Sequence, residues 1–509
     1  MNKIKFLGHA SIYIKTETTS LVTDPWFSKN GAFLNSWFQF PDNTDIDLSW
    51  KDELDYVCIS HEHDDHLDLE FLKTLNSRTK IIIPEYKNKR FYNLLKENLP
   101  RNLILQVSHK EKCLLGDIEF YPIIQIPGWD DCGLLFKTND EVILDLNDMK
   151  ISSKKDLNWI KNNFDIDYLF VQFSGANWYP HIYPQYESKE KLEICRDRRK
   201  NKFNNIVNLF KSLEAKLLIP CAGPPCFLDE SQFHLNFMEE NGFPNQKDFH
   251  EYFNENVCIL LPEDEINLKM DIDSINSKNL NNECFTDTFN YLTKYKDRRS
   301  EIIKHELRKL DYPSPWHGSD SLYTEMVEYF ESIVKSNMYF RKKISGKIMF
   351  VTEHEEIVID FTDKKNTIRS GYEQDCMYTY WIDSKFLKLI MDGKLDWESF
   401  FLSMRFKAER NPDKYNEFLM IFFKYPYKSS LKRYELHDKN KILNETFILS
   451  VDDKEYKCQR YCPHAFGDLS KGEVVGDTIV CPLHTWEFSL KDGQCLTHDS
   501  KINIKAIEK

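Results

Sequence analysis

No run of about eighteen consecutive apolar residues occurs in this 509-residue chain, so no membrane-spanning helix is expected. No apolar run follows a basic start, so a secretory leader is not expected either. Basic charge is not in excess: 68 Lys and Arg stand against 81 Asp and Glu, for a net charge of -13. That argues against nucleic acid as a partner, because phosphate backbones need a basic face. The chain has no G-x-G-x-x-G and no evident flavin or nicotinamide site. A fixed-period repeat and low-complexity tracts are missing as well. Cysteine is not scarce, at 13 residues. The cysteines are scattered, and Cys58 and Cys258 lie in apolar runs, which suits buried thiols in a reducing cytoplasm rather than a disulfide framework. Only Cys462 and Cys481 sit in a metal-type pattern. Hydrophobic residues make up 41 % and aromatics 14 %, enough for the cores of about two to four domains at this length.

The most informative stretch is His61-Glu62-His63-Asp64-Asp65-His66. It follows Tyr56-Val57-Cys58-Ile59-Ser60, an apolar run that reads as a buried strand. Three imidazoles and a carboxylate thus crowd the carboxyl end of a strand, where open α/β folds place their sites. Neutral imidazole and carboxylate together suit zinc or iron rather than hydrated magnesium or calcium. The rival reading is a solvated, charged loop. The spacing is the H-x-H-x-D-H motif of the metallo-β-lactamase fold, and the surroundings resemble that fold, an α/β sandwich of αββα type. The pieces "FLGHAS" and "LVTDPW" resemble the opening of its branch of ascorbate-lactonase-like proteins. In that branch His9 would lie near the metals, and Asp24 would orient a ligand histidine from behind.

Further along, residues 142–148 read as a strand ending in carboxylates. The fold places a bridging aspartate at such a position, which makes Asp148 the candidate to span two metals. The alternative for Asp148 is a turn or cap residue. Residues 168–173 form another buried strand, leading into Trp178, Tyr179, Pro180 and His181. The aromatic pair and the imidazole suit a substrate wall with a polar tip, or a structural loop. The next helix is amphipathic through Phe203, Ile206, Val207, Phe210 and Leu213. Its start, residues 196–200, could meet an anionic substrate or be a solvated face. Asp229, Glu230 and His234 follow the last strand, and one of them could close the metal site.

Residues 1–260 are therefore read as the metal-binding domain and 261–300 as a connecting region with some helix. Residues 301–426 read as a small α+β domain, faintly resembling a sterol-carrier-like module. Asp383 can cap a helix through Ile390, and Asp396 one through Glu409. No residue of this domain looks catalytic; its plain role is a spacer, a substrate wall or a surface for a homo-oligomer.

Residues 427–509 read as short strands and turns carrying Cys462-Pro463-His464 and Cys481-Pro482-Leu483-His484. Two thiolates can hold one iron of a [2Fe–2S] cluster and two imidazoles the other. The rival is a structural zinc site. Each knuckle here mixes one Cys with one His, whereas zinc fingers pair like with like. The stretch "GDLSKGEVVGDTIVCPLHTWEF" resembles the Rieske ferredoxin and oxygenase family, which makes this an all-β Rieske domain with Cys462, His464, Cys481 and His484 as ligands.

Zinc has no redox chemistry, so a cluster fused to a zinc hydrolase would have no acceptor in the chain. Iron in the His/Asp site would supply one. A family with both parts exists. The chain resembles CMP-N-acetylneuraminate hydroxylase through "LVTDPWF", "ISHEHDDHL", "IPCAG" and "DGKLDWESFFLSMRFKAERNPDKY", a likeness taken to cover most of residues 1–426. Two departures stand out: the Rieske part is C-terminal here, and Ile126 stands where that family has a histidine ahead of Asp130-Asp131-Cys132. His181 or His234 are the candidates to compensate. The resemblance implies an O2-dependent hydroxylase with a mono- or diiron site held by His61, His63, Asp65, His66 and Asp148. Asp65 and His181 would take catalytic roles, and Trp178 and Tyr179 would border a small polar substrate such as a nucleotide sugar. Electrons would come from an external reductase or ferredoxin. The competing readings are a zinc metallo-hydrolase with an accessory Rieske domain, and a non-enzymatic electron carrier.

Overall fold

The computed structural model describes residues 3–508 apart from 126–129, 152, 176, 238–241, 269–270, 311–321, 366, 425–427, 453, 464–465, 483–484, 498–503 and 505. Its first strands are β1 (Lys3–Gly8), β2 (Ser11–Lys15), β3 (Ser20–Thr23), β4 (Tyr56–Cys58), β5 (Lys80–Pro84) and β6 (Ile104–Val107). There follow β7 (Cys113–Leu115), β8 (Ile118–Ile124), β9 (Cys132–Lys137), β10 (Val142–Asp145), β11 (Tyr168–Gln172), β12 (Leu217–Cys221) and β13 (Glu265–Ile266). They pair in two sheets, in the orders β13-β1-β2-β3-β4-β5-β6 and β12-β11-β10-β9-β8-β7.

The period-2 rule shows why two layers form. Phe136, Ile143, Phe170 and Ile219 of the second sheet share one core with Ile4, Ile12, Val22, Val57 and Ile82 of the first. Their neighbours Leu135, Leu144, Leu169 and Leu218 point the other way, into a core with Ile160, Phe203, Ile206 and Phe210. These last come from the helices Lys154–Asn163 and Ser188–Leu213. Both faces of the sheet are covered, so its strands read as unbroken apolar runs. This is the αββα sandwich that the motif implied.

Residues 261–300 are not a connector. Glu265–Ile266 pairs with β1, and the helix Thr288–Lys309 buries Leu292, Tyr295, Arg299 and Ile303. The stripe has helical spacing, but an arginine interrupts it and the outer face is charged, which hides its period in the sequence. One terminal nitrogen of Arg299 is engaged by Asp42 and Thr44.

A third sheet follows in the same unit, from β14 (Lys347–Val351), β15 (Glu356–Asp360), β16 (Ile368–Ser370), β17 (Tyr378–Trp381) and β18 (Lys407–Arg410). Its order is β16-β15-β14-β17-β18. Asp383 caps the helix Ser384–Met391. Asp396 caps Trp397–Leu402 by accepting from the Ser399 N–H at 2.8 Å. That helix stops well before Glu409, because Met404 turns left-handed (φ 54°) and residues 407–410 pair with β17. An aromatic layer binds helices to sheet: Trp397 lies 4.7 Å from Phe423 and 5.6 Å from Phe401, centroid to centroid. The sandwich joins this layer directly. Trp178 packs on Phe401 at 5.4 Å, and the Trp37 indole N–H donates to the Leu402 carbonyl at 2.9 Å.

The chain forms two units, Met1–Lys335 with Ser345–Lys424, and Ser336–Ile344 with Tyr425–Lys509. The second unit carries β19 (Thr446–Val451), β20 (Lys454–Gln459), β21 (Glu473–Val475), β22 (Thr478–Val480), β23 (Glu487–Ser489) and β24 (Ala506–Glu508). They make two three-stranded sheets, β19-β20-β24 and β21-β22-β23, around Tyr456, Leu469, Ile479, Phe488 and Leu490. Among the described residues no helix is long and apolar enough to cross a membrane.

Candidate metal centre

The hexapeptide leaves β4 through Ser60, and one buried carboxylate, that of Asp24, holds the turn in place. Ser60 donates to Asp24 twice, from its N–H at 2.7 Å and its hydroxyl at 2.6 Å. With that hydroxyl hydrogen committed, His61 Nδ1 at 2.8 Å donates to Ser60 Oγ. His66 Nδ1 donates to Asp24 Oδ2 at 2.9 Å. Both rings are thereby fixed in the tautomer that leaves Nε2 as a bare electron pair.

Those nitrogens face inward together. His66 Nε2 is buried without a hydrogen-bond partner, 3.5 Å from Asp148 Oδ1 and 3.7 Å from Asp65 Oδ2. His61 Nε2 lies 2.8 Å from His63 Nδ1. His9 Nε2 reaches Asp65 Oδ2 at 3.0 Å, while Asp65 Oδ1 is buried and unpartnered. Two groups of three donors result, His9–Asp65–His66 and His61–His66–Asp148, each within 4.8 Å and sharing His66. His63 adjoins the second group through His61.

The electrostatics fit a cation. Burial disfavours charge on His63, but Glu398 at 3.4 Å outweighs it and lifts the imidazole to about 9. Burial likewise opposes charge on His66, and Asp148 and Asp65 overcome it to hold the pKa well above the usual imidazole range. Burial, helped by the like charges of His66 and His63, holds His61 well below it. Protons thus stand where converging lone pairs and two carboxylates offer a metal its ligands. Orphaned buried acceptors and tautomers fixed from behind make the residues present a fit for a transition-metal ion.

Glu398 was not anticipated. It sits in the helix Trp397–Leu402 of the third sheet's layer, with Lys424 donating to its other oxygen at 2.7 Å. Against burial, Lys424 and His63 hold the carboxyl down to about 2. In the sequence it reads as an ordinary acid in the first turn of a capped helix, within the stretch "DGKLDWESFFLSMRFKAERNPDKY" that carries the resemblance.

The other sequence candidates divide. Asp148 lies three residues beyond the end of β10 and accepts from the Gln172 amide at 2.5 Å. Tyr179 and His181 line a cavity of about 920 Å³ that also takes in His63, Asp65, Asp148 and Glu398. His181 stacks on Phe243 at 4.5 Å, and burial pushes its imidazole down to about 4. It joins neither donor group. Trp178 turns away to Phe401. His234 is exposed, since Leu235 is the buried residue of its short turn. Asp229 and Glu230 are engaged by Arg405 and Lys296. The further imidazole beside Asp65 and His66 comes instead from His9. It occupies the left-handed turn (φ 51°) between β1 and β2, a conformation uncommon outside glycine that histidine adopts more readily than most residues. Ile126 lies outside the described residues.

In the second unit Cys462 and Cys481 are buried in two like turns. The Cys462 N–H donates to Gly467 O at 2.9 Å and the Phe466 N–H to Cys462 O at 2.8 Å. At the other turn the Cys481 N–H donates to Trp486 O at 2.7 Å and the Thr485 N–H to Cys481 O at 2.9 Å. Phe466 and Thr485 are both left-handed, at φ 60° and 58°. Two matching knuckles fit a cluster held from two sides. His464 and His484 lie outside the described residues.

Comparison with known proteins finds three matching domains. Residues 3–127 match a β-lactamase superfamily domain, 322–438 an Rv3818-like, SCP2-like domain, and 423–508 a Rieske [2Fe-2S] domain. The chain is 27 % identical to the Rieske 2Fe-2S iron-sulfur protein Rv3818 of Mycobacterium tuberculosis, over 97 % of this chain and 98 % of that one. It is 25 % identical to the cytidine monophosphate-N-acetylneuraminic acid hydroxylase of Danio rerio over 43 % of this chain and 38 % of that one. That likeness is narrower than the one read from the sequence, and the Rv3818 protein matches the whole length instead. Among solved structures CmlA, a diiron β-hydroxylase from Streptomyces venezuelae, superposes with a TM-score of 0.35 at 14 % identity, covering 52 % of this chain and 54 % of that one.

Proposed function

We propose that the chain is an iron-dependent oxygenase in which a Rieske cluster feeds electrons to the His/Asp centre. The observation that carries this is the presence, in one chain, of a Rieske domain and a buried cluster of imidazoles and carboxylates with open coordination partners. The partial likeness to a hydroxylase supports the same reading. Iron at that centre would supply one-electron chemistry toward dioxygen. Overall, O2, two electrons and two protons convert a C–H bond of the substrate to C–OH and release one water. The electrons come from a separate reductase or ferredoxin.

In this reading His61, His63, Asp65, His66 and Asp148 hold the metal, with His9 beside them. Asp24 fixes two of the rings through Ser60 and directly. Asp65 presents an unpartnered oxygen inward and is the candidate proton acceptor. His181 and Tyr179 line the cavity, and His181, kept neutral by burial, can accept a hydrogen bond from substrate. Cys462, His464, Cys481 and His484 hold the cluster. The thirteen cysteines are free, which suits a reducing cytoplasm.

The test is reoxidation of the reduced cluster. Reduced protein is mixed with O2, and the cluster's EPR signal is followed in parent and His61→Ala protein. The expected result is iron at the front site and fast loss of the signal in the parent, slowed in the variant. Zinc at the front site in protein made without metal bias, or equal rates, would overturn it.

A further inference from the structure

The cavity has one wall of unusual charge for so acidic a chain. Beside the metal donors it is lined by Lys150, Arg198 and Lys202, together with Asn201 and Asn205. Arg198, Lys202, Asn205 and Leu209 follow one another at helical spacing along Ser188–Leu213 and share a face. Arg198 lies over the Tyr179 ring at 5.5 Å. Lys202 donates to Gln172 Oε1 at 3.0 Å, and the same glutamine donates to Asp148. Among the described residues none of the three cations has a carboxylate partner at ion-pair distance.

Uncompensated like charges facing a cavity are costly. Burial and the positive charges of Lys150 and Arg198 push the Lys202 ammonium down to about 7, against the pull of Asp148. The backbone is shaped to keep it there. A Cβ at Gly175 would stand 2.3 Å from Gln172 Oε1 and 2.9 Å from Lys202 Nζ, so a larger residue there would displace the ends of that pair. The arrangement is a wall prepared for an anion and separated from the metal donors by one glutamine amide.

We infer that the substrate carries a phosphoryl group, which docks against Lys202, Arg198 and Lys150 while its reacting part faces His63, Asp65 and Asp148. Three cations exceed what a single carboxylate balances, and the neighbouring amides supply donors for a tetrahedral group. The proposal rests on the reading that this cavity is the reacting site. It also favours an anion contact over a solvated face for residues 196–200, since two of them, Arg198 and Arg199, line the cavity with Lys202.

Pyrophosphate is the probe, titrated calorimetrically into the full chain as purified, with malonate as the carboxylate comparison. Pyrophosphate is expected to bind in the parent. Lys202→Gln and Arg198→Gln should each weaken it about tenfold or more, the loss of one charge-assisted contact. Front-site metal content, the cluster EPR signal and the unfolding temperature of those variants should match the parent. His66→Ala protein, stripped of its front metal, should still bind, which separates this wall from direct coordination of the probe. No binding in the parent, unchanged affinity in Lys202→Gln, binding lost only in His66→Ala, or malonate binding as tightly as pyrophosphate would overturn the proposal. Oxygen-dependent reoxidation of the cluster needs no probe, so the oxygenase reading stands or falls separately.

Discussion

Replacing Glu398 by glutamine keeps the size of the side chain and removes one negative charge from a three-member chain. Lys424 donates to one oxygen at 2.7 Å, and His63 Nε2 stands 3.4 Å from the other. The two side chains are only 11 % and 22 % exposed, so solvent screens the pair incompletely. With a metal bound through His63 Nδ1, the proton on Nε2 points at Glu398, and the carboxylate raises the basicity of the ring. Loss of such a partner costs about 10–100-fold in metal affinity, or about 1.4–2.7 kcal/mol. Glu398→Gln should lie toward the upper end, since Lys424 would then face the centre uncompensated. Lys424→Met should cost less, because the carboxylate survives. The assay is front-metal occupancy against a competing chelator, with the Rieske EPR signal as the measure of an intact second unit. An affinity within about twofold of the parent would show that the contact is only a surface ion pair, and the role given to the third sheet's layer would fail.

Other substitutions test the rest of the arrangement. His66→Ala removes the donor common to both groups, and front metal measured by mass spectrometry should disappear while the cluster signal remains. Cys481→Ala should do the converse. Trp397→Ala should cost about 3–5 kcal/mol in denaturant unfolding of the first unit and lower front-metal affinity as well, because the Glu398 helix is seated through that ring. Chelation of the front metal should lower the unfolding temperature of the first unit, since a bound ion stabilises only the folded state. An unchanged temperature would show that these donors are not closing on a metal.

Much of this was legible because it was local. Six residues from His61 to His66 carry their own geometry, and the strand before them is a plain apolar run. The sandwich was legible for the same reason: covered on both faces, its strands are unbroken hydrophobic stretches. The misreadings came where position in space departs from position in sequence. His234 follows the last strand of its sheet, as a ligand should, but Leu235 claims the inside of that turn and leaves the imidazole exposed. Residues 261–300 read as a connecting region because Arg299 occupies a core position of the helix Thr288–Lys309, where the distant Asp42, Thr44 and Asp45 engage it.

Glu398 is the deepest case, and it speaks against the spacer role left open for the middle of the chain. A spacer would bury its aromatics among themselves and touch the sandwich little. This layer instead sends one carboxylate and one ammonium into the metal cavity and fixes its helix there through Trp37, Trp178 and Arg405. It also covers His63, whose Nε2 would otherwise open to water. Lys202 and Arg198 line the same cavity from the helix Ser188–Leu213. The cavity therefore joins two parts of the chain: Lys202 and Arg198 come from the helix Ser188–Leu213, and the Glu398–Lys424 pair comes from the layer of the third sheet.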